Sequence, residues 1–302
     1  MLRKAVESYV AVRRAVGFAF KSEGSQLKSF ARYSDARGET YLRAPIAIEW
    51  AGQAQTLYTR ARRLGIVIRF ARYIHAEDPH HEIPLAVFGA EKRTRPTPYI
   101  LTQDQVRQLI HAASCAGYRT LRRATYSTLF SLLSCTGLRL SEAMGLRLKD
   151  ITPDGLVIRG TKFRKSRLVP LHETAQVGLE RYLRQRLPYA PADDHVFVSL
   201  RRKPLLHVDA ERAFRLAIRA IGLQVPPGRS LPTPHSLRHA FAVRALQACP
   251  DGRDAITQNM LALSTYLGHG KVCDTYWYLE AVPELMTDIA DRCEHFMRGA
   301  KP

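Results

Sequence analysis

Several stretches of the sequence carry cationic, imidazole or phenol side chains whose spacing is suited to phosphate chemistry. The first is T-G-L-R-L-S-E, in which Arg139 follows a glycine turn and precedes Glu142 by three residues. On a helix this spacing makes the two side chains neighbours, so the carboxylate can orient the guanidinium. An Arg–Glu pair in a first helical turn is also a common structural feature, and this motif alone leaves both roles open.

The stretch T-P-H-S-L-R-H is more specific. Thr233 is a typical helix N-cap, and Pro234 fits the first helical position. His235 and Arg238 then lie one turn apart on the same face, close to the positive end of the helix. An arginine, an imidazole and free backbone N–H groups can hold a phosphate there. We interpret His239 as a support for this face. A purely structural role for His235 and Arg238 is equally compatible with the residues.

Two further stretches contribute a cationic turn and a group of aromatic residues. Residues 154–171 contain two β-branched runs joined by a glycine-containing turn, which predicts a β-hairpin. The turn, G-T-K-F-R-K-S-R, is either a solvated loop or a mobile finger that can place an ammonium group beside a phosphate. Further along, Gly268 ends a predicted helix and H-G-K-V-C-D-T-Y-W-Y-L-E begins at His269. Its aromatic residues can fill a core, stack on bases or supply a nucleophile.

The charge balance restricts the class of partner. The chain has 302 residues, with 46 Lys and Arg against 27 Asp and Glu, which gives a net charge of +19. Such an excess favours a polyanion, with nucleic acid as the first expectation and an acidic membrane surface as the alternative. The excess is shared by residues 1–98 and residues 99–302. We therefore expect both regions to contact the same long anion, as the two halves of a clamp would.

Cysteine usage and hydropathy indicate the compartment. The five cysteines are odd in number, widely spaced and without a C-x-x-C motif, which is typical of reduced thiols rather than of disulfides or a zinc site. Arg13 and Arg14 interrupt the apolar stretch at the N-terminus, so we do not expect it to act as a signal peptide. No apolar run approaches the ~20 residues that span a bilayer. We expect a soluble, cytoplasmic protein that does not act at a membrane.

Helical periodicity predicts two lobes. Residues 1–88 are predicted as a small helical bundle, and arginines on its longest helix, residues 53–76, either face solvent or contact phosphates. Residues 89–100 are predicted as a proline-containing linker. Residues 101–302 are predicted to be mostly helical around the hairpin. The expected fold class is therefore mainly α, with an α+β second lobe that contains a small antiparallel sheet.

Taken together, the motifs resemble the tyrosine recombinase family, the phage-type integrases and their relatives. T-G-L-R-L-S-E, a hairpin lysine before S-R-L-V-P-L, H-S-L-R, L-G-H and T-Y-W-Y occur in that order and at intervals similar to those of the family. The resemblance covers residues 101–280 in detail. The N-terminal lobe is similar to the family's core-binding domain in size and charge only, so residues 1–88 are expected to bind DNA and residues 101–302 to be catalytic.

The resemblance implies a catalytic set of six residues: Arg139, Lys162, His235, Arg238, His269 and Tyr278. The two arginines would clamp the phosphate, and the tyrosine would be the nucleophile. The lysine is assigned because it precedes R-L-V-P-L by the family's interval. The turn is less glycine-rich than in the family, which leaves Lys165 as a second candidate. Tyr276 and Trp277 are expected to pack or stack beside the nucleophile.

The reaction that this resemblance implies is site-specific DNA recombination through a 3′-phosphotyrosyl intermediate, in integration, excision or transposition of a mobile element. Two fixed guanidiniums would replace a metal ion at the phosphate, so no cofactor is expected. The expected partners are double-stranded DNA and further copies of the chain, as a homodimer or homotetramer, with accessory recombinases as an option. An apolar stripe along residues 282–296 either packs on its own domain or docks on a neighbouring subunit.

Three alternatives are distinguishable from this interpretation. A type IB topoisomerase shares the chemistry but relaxes supercoils without a partner site. A non-catalytic DNA-binding protein could keep the same fold, although every expected catalytic position is filled here. A metal-dependent nuclease needs clustered carboxylates, and no such cluster is evident in the sequence.

Overall fold

The computed structural model describes residues 2–89, 98–116, 120–159, 166–190, 193–248 and 253–268. The chain divides into two compact units, Met1–Arg95 and Pro96–Pro302. The predicted residue limits of the DNA-binding region, linker and catalytic region stay predictions, because these units do not assign a function to either part.

The first unit is built from four helices: α1 (Leu2–Ala15), α2 (Lys21–Asp35), α3 (Ala44–Gly52) and α4 (Leu57–His75). Their apolar faces meet in one core, in which Phe30, Val67 and Phe70 have no exposed surface. Full burial of each such side chain stabilises the fold by about 1.5–3 kcal/mol. Helix α4 begins later than the periodicity predicted because Thr56 is its N-cap and accepts a hydrogen bond from the Thr59 N–H at 3.2 Å.

The second unit is mostly helical with one small sheet. Its elements are α5 (Gln103–Cys115), α6 (Thr120–Thr136), α7 (Leu140–Met144), a 3₁₀ turn (Leu148–Asp150), β1 (Ile151–Thr152), β2 (Gly155–Ile158), β3 (Arg167–Val169), α8 (Glu173–Tyr189), α9 (His207–Ala220), α10 (Pro234–Gln247) and α11 (Arg253–Leu267). The fold class predicted from the sequence is confirmed.

The sheet has the order β1-β2-β3 and is antiparallel throughout. Strands β2 and β3 form the predicted hairpin, with Leu156 opposite Val169. Strand β1 was not predicted, because a strand of two residues is too short to show alternation. Within β3, Val169 is buried and Leu168 is exposed, so the residue two positions before Val169 also faces the protein.

Helix α6 lies at the centre of the second unit and packs against α5, α8 and α10. Its residues Leu129, Phe130 and Leu133 are completely buried, and Phe130 meets Phe214 of α9 edge to face at 5.4 Å. The helix ends at Thr136 because Gly137 adopts a left-handed conformation with φ of +61°. The end of this well-packed helix therefore fixes the start of the segment that carries Arg139.

Two further observations concern the helices and the cysteines. Among the described residues, no helix combines the length and the apolar composition needed to cross a membrane. Cys115 and Cys135, the cysteines in that same part of the chain, are free.

Candidate active site

Arg139 and Arg238 meet at the C-terminal end of α11. The Nη2 atom of Arg238 donates to the carbonyl oxygen of Leu267 at 2.7 Å, and Nη1 of Arg139 reaches the same oxygen at 3.5 Å. Arg139 also donates through Nη2 to the carbonyl of Gly268 at 3.0 Å. Carbonyls in the last turn of a helix have no partner within the helix, so they are natural acceptors for cations. Residues far apart in the sequence thus form one cationic cluster.

Arg238 is the buried member of the pair, with 1% of its surface exposed. It lies on α10, whose N-terminus is organised as predicted: Pro234 is in the first turn, and the Thr233 N–H donates to Ser236 Oγ at 3.1 Å. Nη1 of Arg238 donates to the carbonyl of Gly137 at 2.7 Å. Hydrogen bonds to two carbonyls offset the cost of burying the guanidinium.

Gly137 is required for this arrangement by its conformation and by its surroundings. Its φ of +61° favours glycine, because the backbone of a residue with a side chain would be strained in this conformation. A Cβ atom would also lie 2.5 Å from Cδ1 of Phe241 and 2.9 Å from Cδ2 of Leu267. The glycine of T-G-L-R therefore allows close contact between α6, α10 and α11, and it turns its carbonyl toward Arg238.

Arg139 is the more exposed member, with 29% of its side chain accessible. It occupies the N-cap position of α7, and its backbone N–H donates to Oε2 of Glu142 at 3.0 Å. Its Nη1 atom donates to Oε1 of the same carboxylate at 2.8 Å. This contact is the one that the Arg–Glu spacing predicted, and it orients the guanidinium toward the end of α11.

Arg167 is a member of the cluster that the sequence offered only as one of the basic residues of the hairpin turn. From the start of β3, its Nη2 and Nη1 atoms donate to the two carboxylate oxygens of Glu142, at 2.8 and 3.1 Å. Burial alone would raise the pKa of Glu142, but hydrogen bonds and charges from Arg167 and Arg139 outweigh burial and lower the pKa to about 2. The sequence signal that could have identified Arg167 is its position in the strand, two residues before the apolar Val169 and so on the same face of the sheet.

His235 lies beside the two arginines and is neutral. Part of its ring is exposed, yet the surrounding protein disfavours charge, and the positive charges of Arg238 and Arg139 add to this, so the pKa is lowered to about 4. A neutral imidazole can accept a proton at neutral pH. The ring meets that of His239 edge to face, with centroids 4.5 Å apart. His239 is buried and packs against His235, which fits its predicted supporting position.

The described residues thus bring together Arg139, His235 and Arg238. Gly268 has a φ of +66° and ends α11, as predicted. The remaining predicted site residues lie outside the described residues: Lys162, His269 and Tyr278, together with Lys165, Tyr276 and Trp277. Their assignments stay predictions.

One small carboxylate cluster was not anticipated from the sequence. Asp193, Asp194 and His195 present ligand atoms within 4.8 Å of one another. Asp193 Oδ1 already accepts hydrogen bonds from the His195 N–H at 2.7 Å and from its ring at 2.8 Å, and Asp194 is ion-paired with Arg147. Through these contacts the three residues hold the loop after α8 in place.

In the first unit, the arginines of α4 divide into two groups. Arg60 donates through Nε to the carbonyl of Ala54 at 2.8 Å, and Arg63 lies over the ring of Trp50 at 5.4 Å. The other three are exposed: Arg62, Arg69 and Arg72. The exposed group is the one that remains available for phosphate contacts.

Comparison with known proteins agrees with the site. Residues 99–283 match the phage integrase family. Over 97% of this chain and 96% of the relative, the sequence is 37% identical to the "Putative integrase/recombinase y4rB" of Sinorhizobium fredii. It is 28% identical to the tyrosine recombinase XerD of Brucella suis, over 78% of this chain and 75% of that one. The chain belongs to the phage integrase family, the tyrosine recombinases. It is a site-specific recombinase that cleaves and rejoins DNA.

Solved structures share the fold at low sequence identity. The XerH recombinase bound to its difH substrate in a pre-cleavage complex has a TM-score of 0.64 at 19% identity, over 91% of this chain and 81% of that chain. A dimer of lambda integrase(75–356) bound to a COC′ core site has a TM-score of 0.62 at 19% identity, over 90% and 96%. Lambda integrase is also known as a tetramer bound to a Holliday junction. The predicted family and fold are confirmed.

Proposed function

We propose that Tyr278 attacks the scissile phosphodiester and that Arg139, Lys162, His235, Arg238 and His269 assist it. The attack forms a 3′-phosphotyrosyl bond and breaks the bond from phosphorus to the 5′ oxygen, which leaves as a hydroxyl. A 5′-hydroxyl from a second DNA end then attacks the same phosphorus and releases the tyrosine. The observation that carries this proposal is that Arg139 and Arg238, with His235 beside them, meet at the carbonyl of Leu267, two residues before His269.

The two arginines stabilise the charge that develops on the nonbridging oxygens of the transition state. A guanidinium presents several N–H donors in a rigid plane, so two of them can hold a phosphate without a metal ion. Arg139 is exposed enough to reach a phosphate as it stands. Arg238 is buried, so its contact with the phosphate requires the segments around it to separate as DNA enters.

Proton transfer is divided between His235 and Lys162. His235 accepts the proton that the tyrosine hydroxyl loses, which its lowered pKa of about 4 permits because the ring is neutral at neutral pH. Lys162, or Lys165 in its place, donates a proton to the departing 5′ oxygen. His269 donates a hydrogen bond to the phosphate. One proton is accepted and one is donated in the cleavage step. During rejoining, the lysine accepts a proton from the attacking 5′-hydroxyl and the histidine returns its proton to the tyrosine.

Both units contribute to DNA binding in this proposal. Residues 1–88 act as the core-binding domain, residues 89–100 as the linker and residues 101–302 as the catalytic domain. The net charge of +19 and the exposed arginines of α4 support a clamp around double-stranded DNA. Recombination joins two DNA sites, so a homodimer on each site and a homotetramer at synapsis are the expected assemblies. Such an enzyme would act at the nucleoid.

The biological role proposed is the movement of a mobile element, by integration, excision or transposition. Support comes from the relative named as an integrase/recombinase and from the similar fold of the Tn1549 transposon integrase bound to transposon end DNA, with a TM-score of 0.62.

The proposal is tested with covalent adducts. Duplexes of random sequence that carry a nick in one strand are incubated with the full chain, and DNA in detergent-resistant adducts is sequenced. A nick near the cleavage point lets the released strand end diffuse away, which traps the intermediate. Tyr278→Phe should bind the selected duplex normally in a gel shift and form no adduct, whereas Tyr276→Phe should form it.

Other outcomes identify the alternatives. An adduct that survives in Tyr278→Phe and is lost in Tyr276→Phe would identify Tyr276 as the nucleophile and contradict the proposal. Binding without any adduct favours a non-catalytic DNA-binding protein. Relaxation of supercoiled plasmid without sequence preference favours a topoisomerase, and loss of cleavage in chelator favours a metal-dependent nuclease.

A further inference from the structure

Arg167 lies where three segments of the proposed site meet. It starts β3, five residues after Lys162 in the sequence. Its guanidinium makes a two-pronged contact with Glu142, which is 8% exposed, and its own side chain is 14% exposed. Bidentate pairs of this kind are both strong and directional. The strand that follows the predicted lysine is thereby tied to the segment that carries Arg139.

The same guanidinium packs against the end of α11. A Cβ atom on Gly268 would lie 2.8 Å from Nη1 of Arg167 and 3.2 Å from its Cζ. The carbonyl of Gly268 accepts a hydrogen bond from Arg139 at 3.0 Å. Gly268 directly precedes His269, so Arg167 contacts two of the segments that carry predicted site residues and belongs to a third.

Charge explains why a second arginine is needed at Glu142. Arg139 donates to Glu142 now, but in the proposed function the Arg139 guanidinium also has to serve a phosphate. If Glu142 had no other partner, any movement of Arg139 toward the phosphate would leave a buried carboxylate unpaired, which is strongly unfavourable. Arg167 keeps the carboxylate paired while Arg139 shifts, so the movement becomes possible.

We propose that Arg167 is a positioning residue of the recombinase site: by holding both oxygens of Glu142 and packing on Gly268, it keeps the segments of Arg139, Lys162 and His269 aligned. This inference rests on the proposed function. Arg167 does not contact the phosphate or the reacting atoms in this proposal; it acts through Glu142 and Arg139.

The charged groups around Glu142 agree with this role. Arg139 faces it from the start of α7 and Arg167 from β3, while α11 contributes carbonyl groups and α10 contributes Arg238 next to the shared Leu267 oxygen. The hydrogen bond from Arg167 is the largest of the effects that lower the pKa of Glu142. Without Arg167, the pKa of Glu142 should rise, because burial raises it and the contacts from Arg139 alone lower it.

The experiment measures single-turnover cleavage of the nicked duplex selected by the wild-type protein, alongside the Kd for the same duplex. Arg167→Gln should cleave about 10–100-fold more slowly, because small misplacements of reacting groups have effects of that size. Its Kd should stay within about twofold, because Arg167 makes no contact with a DNA phosphate in this proposal. Arg167→Lys should recover part of the rate. The deficit of Arg167→Gln should also grow as pH falls from about 8 to about 5.

Arg159→Gln is the matched control. Arg159 follows β2 of the same sheet and pairs through Nε with Asp150 at 2.7 Å, a carboxylate that is 5% exposed. This substitution removes an arginine from a buried carboxylate outside the cluster, so cleavage should stay near the wild-type rate. Thermal melting of each variant reports whether it folds.

A double variant separates positioning from direct DNA contact. If Arg167 acts through Glu142, Arg167→Gln combined with Glu142→Gln should lose less than the product of the two single losses. Wild-type cleavage by Arg167→Gln, or a rate loss matched by a loss of DNA affinity and independent of Glu142, would overturn the inference while leaving the proposed function intact. A wild-type protein that binds DNA and forms no adduct would remove both.

Discussion

Arg186 and Arg238 are both buried arginines that donate to backbone carbonyls, yet their surroundings differ. Arg186 reaches the carbonyls of Ala190, Asp193 and His195, all within nine residues along the chain. It closes the loop after α8. Arg238 reaches carbonyls from segments 101 and 29 residues away. Burial and hydrogen bonding alone therefore do not mark a functional arginine; the distance along the chain between its partners is more informative.

The neighbours of the two arginines sharpen this comparison. Around Arg186, the ionisable partner is Asp193, at 3.9 Å, and the loop satisfies its charge locally. Arg238 instead lies beside Arg139 and His235, where burial and then the positive charges of the two arginines lower the pKa of the histidine. A fold gains nothing from concentrated like charge, which is destabilising unless an anion binds. In the proposed function the cluster at Arg238 holds a phosphate, whereas Arg186 stabilises its own loop.

The largest expected effect is on catalysis at Arg238. Arg238→Lys keeps the positive charge but loses the planar set of donors, so single-turnover cleavage should fall roughly 10³-fold. The melting temperature should fall by only a few degrees, because the ammonium can still donate to one of the two carbonyls. Measuring both on the same preparation tests whether the residue serves function more than stability; a near-normal cleavage rate would break the comparison.

At Arg186 the expected effect is on stability. Arg186→Met removes the donors to three carbonyls and leaves them buried, which should lower the free energy of unfolding by about 3–5 kcal/mol. Urea denaturation measures this change. Below the unfolding transition, cleavage per folded molecule should match the wild type. A loss of cleavage in the folded fraction would mean that this loop also serves the site.

A smaller effect is expected from two glycines with matching conformations. Gly268 and Gly222 have φ of +66° and +62°, so alanine at either position introduces similar backbone strain, on the order of 1 kcal/mol. A Cβ at Gly222 has nothing within 4 Å, whereas one at Gly268 overlaps Arg167 at 2.8 Å. Both variants should melt slightly lower. Only Gly268→Ala should also lose cleavage, by about tenfold, and equal cleavage by the two variants would contradict the contact.

The smallest expected effect concerns pH and His235. Its pKa is about 4 in the folded protein, against about 6.5 for an ordinary histidine. Between these values the unfolded chain binds more protons than the folded protein, so stability is lost as pH falls from about 6.5 to about 4. His235→Gln cannot titrate and should flatten that part of a plot of Tm against pH, by about a degree because the ring is partly exposed. Identical plots for both proteins would show that His235 titrates normally.

Most of the fold followed from sequence patterns. Helical periodicity predicted that both regions are mostly helical, and the hairpin followed from β-branched runs around a glycine. Strand β1 was missed because two residues carry no alternation. The start of α4 was displaced because the hydroxyl of Thr56, rather than the apolar stripe, decides where that helix begins.

The site was predictable where side-chain motifs identify it and hidden where the backbone contributes. Arg139, His235 and Arg238 were chosen from short motifs, and the structure brings them together. Arg167 was not distinguished, because it is one of several basic residues in the turn. Only the pleat of β3 directs its side chain inward. The acceptor at Leu267 had no signal at all, since every residue type has the same carbonyl group.

The position of α11 affects both arginines through the carbonyl oxygen of Leu267, to which both donate. One atom sets the separation of two cations that would otherwise repel each other. Turning or sliding this helix by a single residue would withdraw the acceptor from both guanidiniums in the same movement. Insertions or deletions within α11 should therefore displace the acceptor from both arginines together.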